Sequence, residues 1–178
     1  MARASPRLTA RDWLNAGLEA LSEQGPSALK AEPLAVRLGV SKGSFYWHFR
    51  DVPAFHDALL AAWQADSIDR LPDLAAPAGT DAARLRNLAQ AFAAPDAIEP
   101  AVRAWASSDD TARAAVDDVD TARLAALRNL LSHAGIDNPE MARILYASAI
   151  GMTTLGVASP ADHLGAIGSL VDLVLALR

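Results

Sequence analysis

The sequence predicts an all-α protein of about nine helices, the first three forming a basic N-terminal head and the rest a C-terminal helical domain. Three observations predict it. The 178 residues include 40 alanines and 24 leucines, both strong helix formers. β-branched residues are few, and no run of strand length alternates apolar with polar. Apolar residues recur instead at helical spacing between capping residues and Gly/Pro breakers. The length suits one domain or two small ones sharing a helix, and the charge balance changes sign between residues 1–50 and 51–178.

The elements follow in order. Thr9 and Asp12 form a capping-box-like start. Trp13, Leu14, Gly17, Leu18 and Leu21 then mark the first helix, which Gly25-Pro26 ends. A second helix runs from about Ala31 to Leu38, with Pro33 confined to its first turn. Gly39-Val40 makes a turn, and Ser41 caps a third helix reaching about Phe49. Asp51 caps a long fourth helix bearing Phe55, Leu59, Ala62 and Trp63. A Pro/Gly/Ala linker, Pro72–Thr80, precedes helices at roughly 81–94, 96–107, 109–134, 138–157 and 160–177, separated by Pro95, Ser107–Asp109, Gly135–Pro139 and Ser159-Pro160.

Charge is uneven. Residues 1–50 carry seven Lys/Arg against four Asp/Glu, whereas residues 51–178 carry nine against seventeen. A basic head on an acidic chain suggests an anionic partner for the head. Other classes recede. There is no cysteine, hence no disulfide scaffold, thiol nucleophile or cysteine-ligated metal. No secretory signal follows the basic start, and the apolar stretches near the C-terminus fall short of a bilayer span, so a soluble, cytoplasmic protein is expected. His48, His56, His133 and His163 show no metal-ligand spacing. Asp109, Asp110, Asp117, Asp118 and Asp120 lack the glycine and bidentate glutamate of a calcium loop, and read as a solvated helix face. No catalytic motif or cofactor loop is present, so neither an enzyme nor a cofactor is expected.

The informative segment is Leu34–Phe49. Two short helices around a glycine turn make a helix-turn-helix. Leu34, Ala35, Leu38, Val40, Phe45 and Phe49 are spaced to pack inward, with Gly39 where the chain needs positive φ. Lys42, Gly43, Ser44, Tyr46, Trp47 and His48 remain outward. Small residues at the helix start allow close approach to base edges, and the aromatic polar groups can donate to phosphates. Arg3, Arg7 and Arg11 could form a minor-groove arm or a solvated tail.

The run Leu34-Ala35-x-x-Leu38-Gly39-Val40-Ser41-x-Gly43-Ser44-Phe45-Tyr46-x-His48-Phe49 resembles the DNA-binding signature of the TetR (tetracycline-repressor) family. That resemblance implies a homodimeric transcriptional regulator, most often a repressor, binding double-stranded operator DNA through Ser41–Ser44, Tyr46, Trp47 and His48. It also implies release by a small hydrophobic effector, through a shift of the long fourth helix. Two positions depart from the family pattern. Val52 stands where members usually carry a phosphate-contacting lysine, and Lys30 stands in place of a threonine that caps the second helix. Phosphate contact would then fall to Lys30, Arg50 and backbone N–H groups.

For the effector pocket the candidates are Trp63, Phe92, Trp105, Tyr146 and Met152, with Arg103 as polar anchor; plain core packing is the alternative for each. Ala147, Gly151, Gly156, Gly165 and Gly168 put small residues on the last two helices. Helices apolar on more than one face need a second partner, which matches the four-helix dimer interface the resemblance implies. A ligand-independent architectural or activating DNA-binder, and a helical ligand-binding or enzyme module, remain open alternatives.

Overall fold

The computed structural model describes residues 8–76, 79–155 and 159–176. Among them are ten α-helices and one 3-10 turn, with no strand. The helix beyond the nine expected is a short one, Leu71–Ala75 (α5 below). It occupies the start of the expected linker, where Pro72 falls in the first turn that tolerates it.

The chain forms two compact units, 1–65 with 96–116, and 66–95 with 117–178. Neither coincides with residues 1–50 or 51–178, because a later helix returns to pack on the first.

In the first unit, α1 (Ala10–Gln24) starts at the Thr9–Asp12 capping box, with Thr9 N–H donating to Asp12 Oδ2 at 2.7 Å. It ends at Gly25, whose φ of 76° closes the turn into a 3-10 segment, Pro26–Ala28. Then come α2 (Ala31–Arg37), α3 (Lys42–Phe45) and α4 (Val52–Asp69), whose last four residues belong to the second unit. Finally α7 (Ile98–Ala106) packs against α1. Trp13, Phe45 and Phe55 are fully buried at the centre. Their rings meet edge to face, Trp13–Phe45 at 5.4 Å and Phe45–Phe55 at 5.3 Å, with Phe49 on Phe55 at 5.0 Å. Gly17 lies tight against α4 side chains. A Cβ there would lie 2.5 Å from Leu59 Cδ1 and 2.6 Å from Phe55 Cζ, so α1 can seat on α4 only without a side chain.

The second unit is built from α5, α6 (Asp81–Phe92), the latter part of α8 (Asp110–His133), α9 (Glu140–Thr153) and α10 (Pro160–Leu175). Leu85, Leu88, Leu127, Leu131, Leu145, Ile167 and Val171 form its core. α10 starts at a second capping box, Ser159 with Asp162. Polar side chains of α6 hold it in register: Gln90 Nε2 donates to Leu164 O at 2.8 Å, Arg86 Nη1 donates to Gly168 O at 3.1 Å, and Arg86 also pairs with Asp172. Among the described residues, no helix is long and apolar enough to cross a membrane.

Candidate nucleic-acid interface

The turn between α2 and α3 follows from Gly39. Its φ of 67° is the left-handed conformation that costs glycine nothing. It lets Val40 N–H reach Ala35 O at 3.0 Å and Gly39 N–H reach Val36 O at 3.1 Å, the paired bonds of a Schellman helix end. Leu34 and Ala35 are buried beneath the turn, with Leu38 and Val40 half-buried. Three exposed ion-pair oxygens tie α2 to α1, since Arg37 donates to Glu19 Oε2 at 3.2 Å and to both oxygens of Glu23. Those carboxylates raise the Arg37 pKa further above its ordinary value, Glu23 most of all.

α3 is shorter than its sequence suggests. It ends at Phe45, and Tyr46, Trp47 and His48 continue as tight turns with Trp47 N–H on Ser44 O and His48 N–H on Phe45 O. Gly43 and three consecutive aromatic rings are poor helix formers, so the last turn tightens toward 3-10 bonding. Ser41 sits at the N-cap with extended backbone, but its hydroxyl makes no cap bond; Ser44 N–H is satisfied by Ser41 O at 2.9 Å. Phe45 and Phe49 face inward as expected, at 0% and 7% exposure. The predicted outward set is outward: Lys42, Gly43, Tyr46 and Trp47 are exposed, Ser44 and His48 half-buried. Trp47 is 83% exposed, and Tyr46 leans edge-on against Phe45 at 5.3 Å.

Beside this face, an open groove of about 780 Å³ is lined by residues that include Lys30, Glu32, Val36, Lys42, Tyr46 and Val52. Lys30 occupies the N-cap position of α2, exposed and without a cap bond. Lys42 Nζ stands 3.6 Å from Glu32 Oε2, a carboxylate the sequence reading passed over. At the start of α4, Asp51 Oδ1 accepts from Ala54 N–H at 2.8 Å while its other oxygen accepts from Arg50 at 2.8 Å. The Ala54 bond, then Arg50, hold the Asp51 carboxyl below its ordinary pKa. Arg50 itself is 84% exposed. Arg11 lies in the first turn of α1, whereas Arg3 and Arg7 lie outside the described residues. On α4, His56 Nε2 lies 2.9 Å from Leu29 O, just before α2, and its ring meets Trp105 of α7 at 5.2 Å.

The remaining candidate residues separate. Trp63, Arg103 and Trp105 belong to the first unit, and Phe92, Tyr146 and Met152 to the second. The four rings are buried and Met152 is half-buried. Arg103 donates to Glu99 Oε1 at 2.8 Å along α7. The buried cation of the second unit is Arg123, which the sequence reading missed. It stacks over Phe92 at 5.2 Å and donates to Tyr146 Oη at 3.2 Å, while Tyr146 donates to Asp120 Oδ1 at 2.6 Å. Burial pushes the Tyr146 phenol up to about 12. Asp120 is therefore no member of a solvated acidic face, and Asp109 caps α8 through Ala112 N–H at 2.9 Å. Ala147, Gly151 and Gly165 are exposed, but Gly168 is turned inward, with Arg86 Nη1 3.0 Å and Gln90 Nε2 3.1 Å from where its Cβ would be. Gly168 thus packs on its own chain rather than on a partner, and Gly156 lies outside the described residues.

A glycine-turned helix pair over an aromatic core, with a polar, aromatic face projecting from the second helix, is the geometry of a helix-turn-helix. The model of the tetR family of bacterial regulatory proteins matches residues 14–51. Over 54 residues, 30% of this chain, the sequence is 43% identical to the class A tetracycline repressor of transposon 1721 from Escherichia coli, covering 25% of that repressor. The chain thus matches about a quarter of the length of that relative. The fold is similar to that of a protein described as a TetR-family transcriptional regulator from Rhodococcus sp., with TM-score 0.79 and 18% identity over 96% of this chain and 100% of that one. It is equally similar, at TM-score 0.79 and 15% identity, to a transcriptional regulator from Saccharomonospora viridis solved in complex with choline, over 92% of this chain and 95% of that one. The resemblance in sequence to the tetR family of bacterial regulatory proteins thus lies in the head, and the fold of the chain is similar to that of solved regulators.

Proposed function

We propose that the protein is a homodimeric, ligand-responsive repressor of transcription in the cytoplasm. It binds a palindromic operator and leaves it when a small hydrophobic compound, neutral or cationic, binds the C-terminal helices. Residues 1–50 would read DNA, and residues 51–178 would bind effector and partner. The observation that carries this reading is the outward surface of exposed Lys42, Gly43, Tyr46 and Trp47 with half-buried Ser44 and His48, backed from beneath by buried Phe45 and Phe49. Two-fold symmetry would set half-sites one helical turn apart, roughly 34–36 Å.

The dimer reading draws support from α9 and α10, which leave Ile144 and Leu173 at 44% and 62% exposure, along with Ala147, Gly151 and Gly165; Leu155, just past α9, is 48% exposed. Apolar helical surface of this kind commonly marks an interface. The effector reading draws on the apolar, alanine-rich helices that follow the head and carry Trp63, Trp105, Phe92 and Tyr146, and on the choline bound to the Saccharomonospora viridis regulator. Helix α4 begins immediately after the head and carries Trp63, so it is the natural route for a coupling of about 1–3 kcal/mol.

The test is fluorescence anisotropy on operator DNA selected by the protein itself. Replacing Lys42, Tyr46 and His48 together by alanine should weaken binding while the helical circular-dichroism signal stays intact. Unchanged affinity sinks the reading. A screen of lipophilic amines, aromatics and acyl compounds should then find one that releases DNA and raises the melting temperature together. Trp63→Ala or Trp105→Ala should blunt that release and leave DNA binding by the free protein; Trp63 is the cleaner probe, because Trp105 also packs on His56. An effector that neither substitution affects, or one that is polyanionic, refutes the ligand assignment.

A further inference from the structure

We infer that Glu32 is a specificity-determining residue of the reading surface, forming with Lys42 an acceptor–donor pair matched to the major-groove edge of a G·C base pair. The inference rests on the proposed role of the head as a DNA reader. The two groups come from different helices, Glu32 from the first turn of α2 and Lys42 from the first residue of α3, and they line one groove with Lys30, Val36 and Tyr46. Lys42 Nζ and Glu32 Oε2 are 3.6 Å apart, with side chains 55% and 75% exposed. An ion pair so open to water adds almost nothing to stability, and it exchanges readily for other partners.

A carboxylate is out of place on a surface meant only to grip phosphates. It has no proton to donate, and its charge opposes theirs. In the major groove it can accept from an exocyclic amine, N4 of cytosine or N6 of adenine, while a lysine ammonium takes guanine O6 and N7. Within a G·C pair, guanine O6 and cytosine N4 are bonded to each other at the ordinary N–H···O distance of about 2.9 Å. An ammonium and a carboxylate 3.6 Å apart can therefore meet both at once. At an A·T pair, a carboxylate on adenine N6 would lie beside thymine O4, a second acceptor, and near the apolar methyl group. The pair thus favours G·C.

It also has a second effect. On DNA of the wrong sequence, Glu32 keeps Lys42 partly neutralised, so Lys42 releases fewer counterions than a free lysine would. Glu32 lowers non-specific affinity and raises specific affinity through the same two atoms.

The experiment selects bound duplexes from a randomised pool with the full-length wild type, with Glu32→Gln and with Lys42→Ala, and measures salt dependence on an unrelated duplex. Wild type should require G·C at one position of each half-site. Both substitutions should relax that same position on the order of tenfold, Glu32→Gln shifting it toward A·T because an amide pairs with adenine N6 and N7. Glu32→Gln should also bind unrelated DNA several-fold more tightly, with a log–log salt slope steeper by a fraction of the roughly 0.9 that one full phosphate contact gives. An unchanged base profile, effects of the two substitutions at different positions, or a wild-type preference for A·T there would overturn the inference while leaving the head a DNA reader. A wild type that enriches no sequence removes the reader itself, and this inference with it.

Discussion

Replacing Gly17 by alanine tests the seating of α1 on α4. In a helix interior this change ordinarily stabilises by about 1 kcal/mol, because alanine loses less backbone entropy. Here the new Cβ would stand 2.5 Å from Leu59 Cδ1 and 2.6 Å from Phe55 Cζ. Leu59 can rotate away only into a fully buried site, and Phe55 is boxed in by Phe45 at 5.3 Å and Phe49 at 5.0 Å. Overpacking of a filled core costs about 1–3 kcal/mol. The helix gain offsets part of this, leaving a net loss near 1 kcal/mol. For a chain of this length that lowers the melting temperature by roughly 2–4 °C. Gly43→Ala is the matched control. Its Cβ would meet nothing closer than Ser41 Oγ at 3.8 Å, so its stability should hold or rise while operator affinity falls, the added methyl standing on the face that approaches the bases. Thermal unfolding followed by circular dichroism separates the two. If Gly17→Ala unfolds at or above the wild-type temperature, the seating of α1 on α4 is misread.

Alkaline titration should find the Tyr146 phenol protonated up to about 12. Because its folded pKa exceeds the unfolded value of 10.0, the associated stability is complete below pH 10 and declines as pH rises through the folded value. Tyr146→Phe should remove this decline and lower stability at neutral pH by about 1 kcal/mol, by deleting the hydroxyl between Arg123 and Asp120; ultraviolet difference spectra and thermal melts check both. At the acid end, hydrogen bonds from the Ser159 side chain and then its backbone hold the Asp162 carboxyl below 3.8. The stability this confers is present above that value and lost as pH falls through the folded pKa. In Ser159→Ala, NMR titration should show Asp162 moving back up toward 3.8. Leu173→Glu should shift sedimentation at micromolar concentration from dimer to monomer and weaken operator binding with it; a variant that stays dimeric moves the interface off α10.

Local chemistry was readable from the chain. Thr9 with Asp12, Gly25, Gly39 and Asp51 act through neighbours within five residues, so their spacing alone reveals the caps and turns they make. The outward face of α3 was readable for the same reason, since burial of Phe45 and Phe49 fixes the opposite side. What escaped depends on distant partners. Arg123 and Asp120 look like ordinary charges on a polar helix until Tyr146, more than twenty positions on, is brought to them. Gly168 looks like a place for a partner helix until Arg86 and Gln90 of α6 are seen to fill it. Glu32 looks like a helix-start carboxylate complementing the dipole, and only its distance to Lys42 links it to the outward face of α3. The length of α3 was overestimated because apolar spacing persists through a tightened turn as it does through a helix.

The return of α7 to α1 bears on how the protein is made. The first unit is discontinuous in the sequence, 1–65 completed by 96–116, and Trp105, 5% exposed, reaches it only through that second stretch. A nascent chain therefore cannot close its first unit when residue 65 leaves the ribosome. At about 5–20 residues per second, the fifty-odd further residues to Val116 take several seconds, during which the surface that α7 will cover stays open to solvent and chaperones. The same geometry means that residues 1–50 or 1–65 grafted onto another protein would lack their α7 cover. An exchangeable cassette would have to carry both stretches.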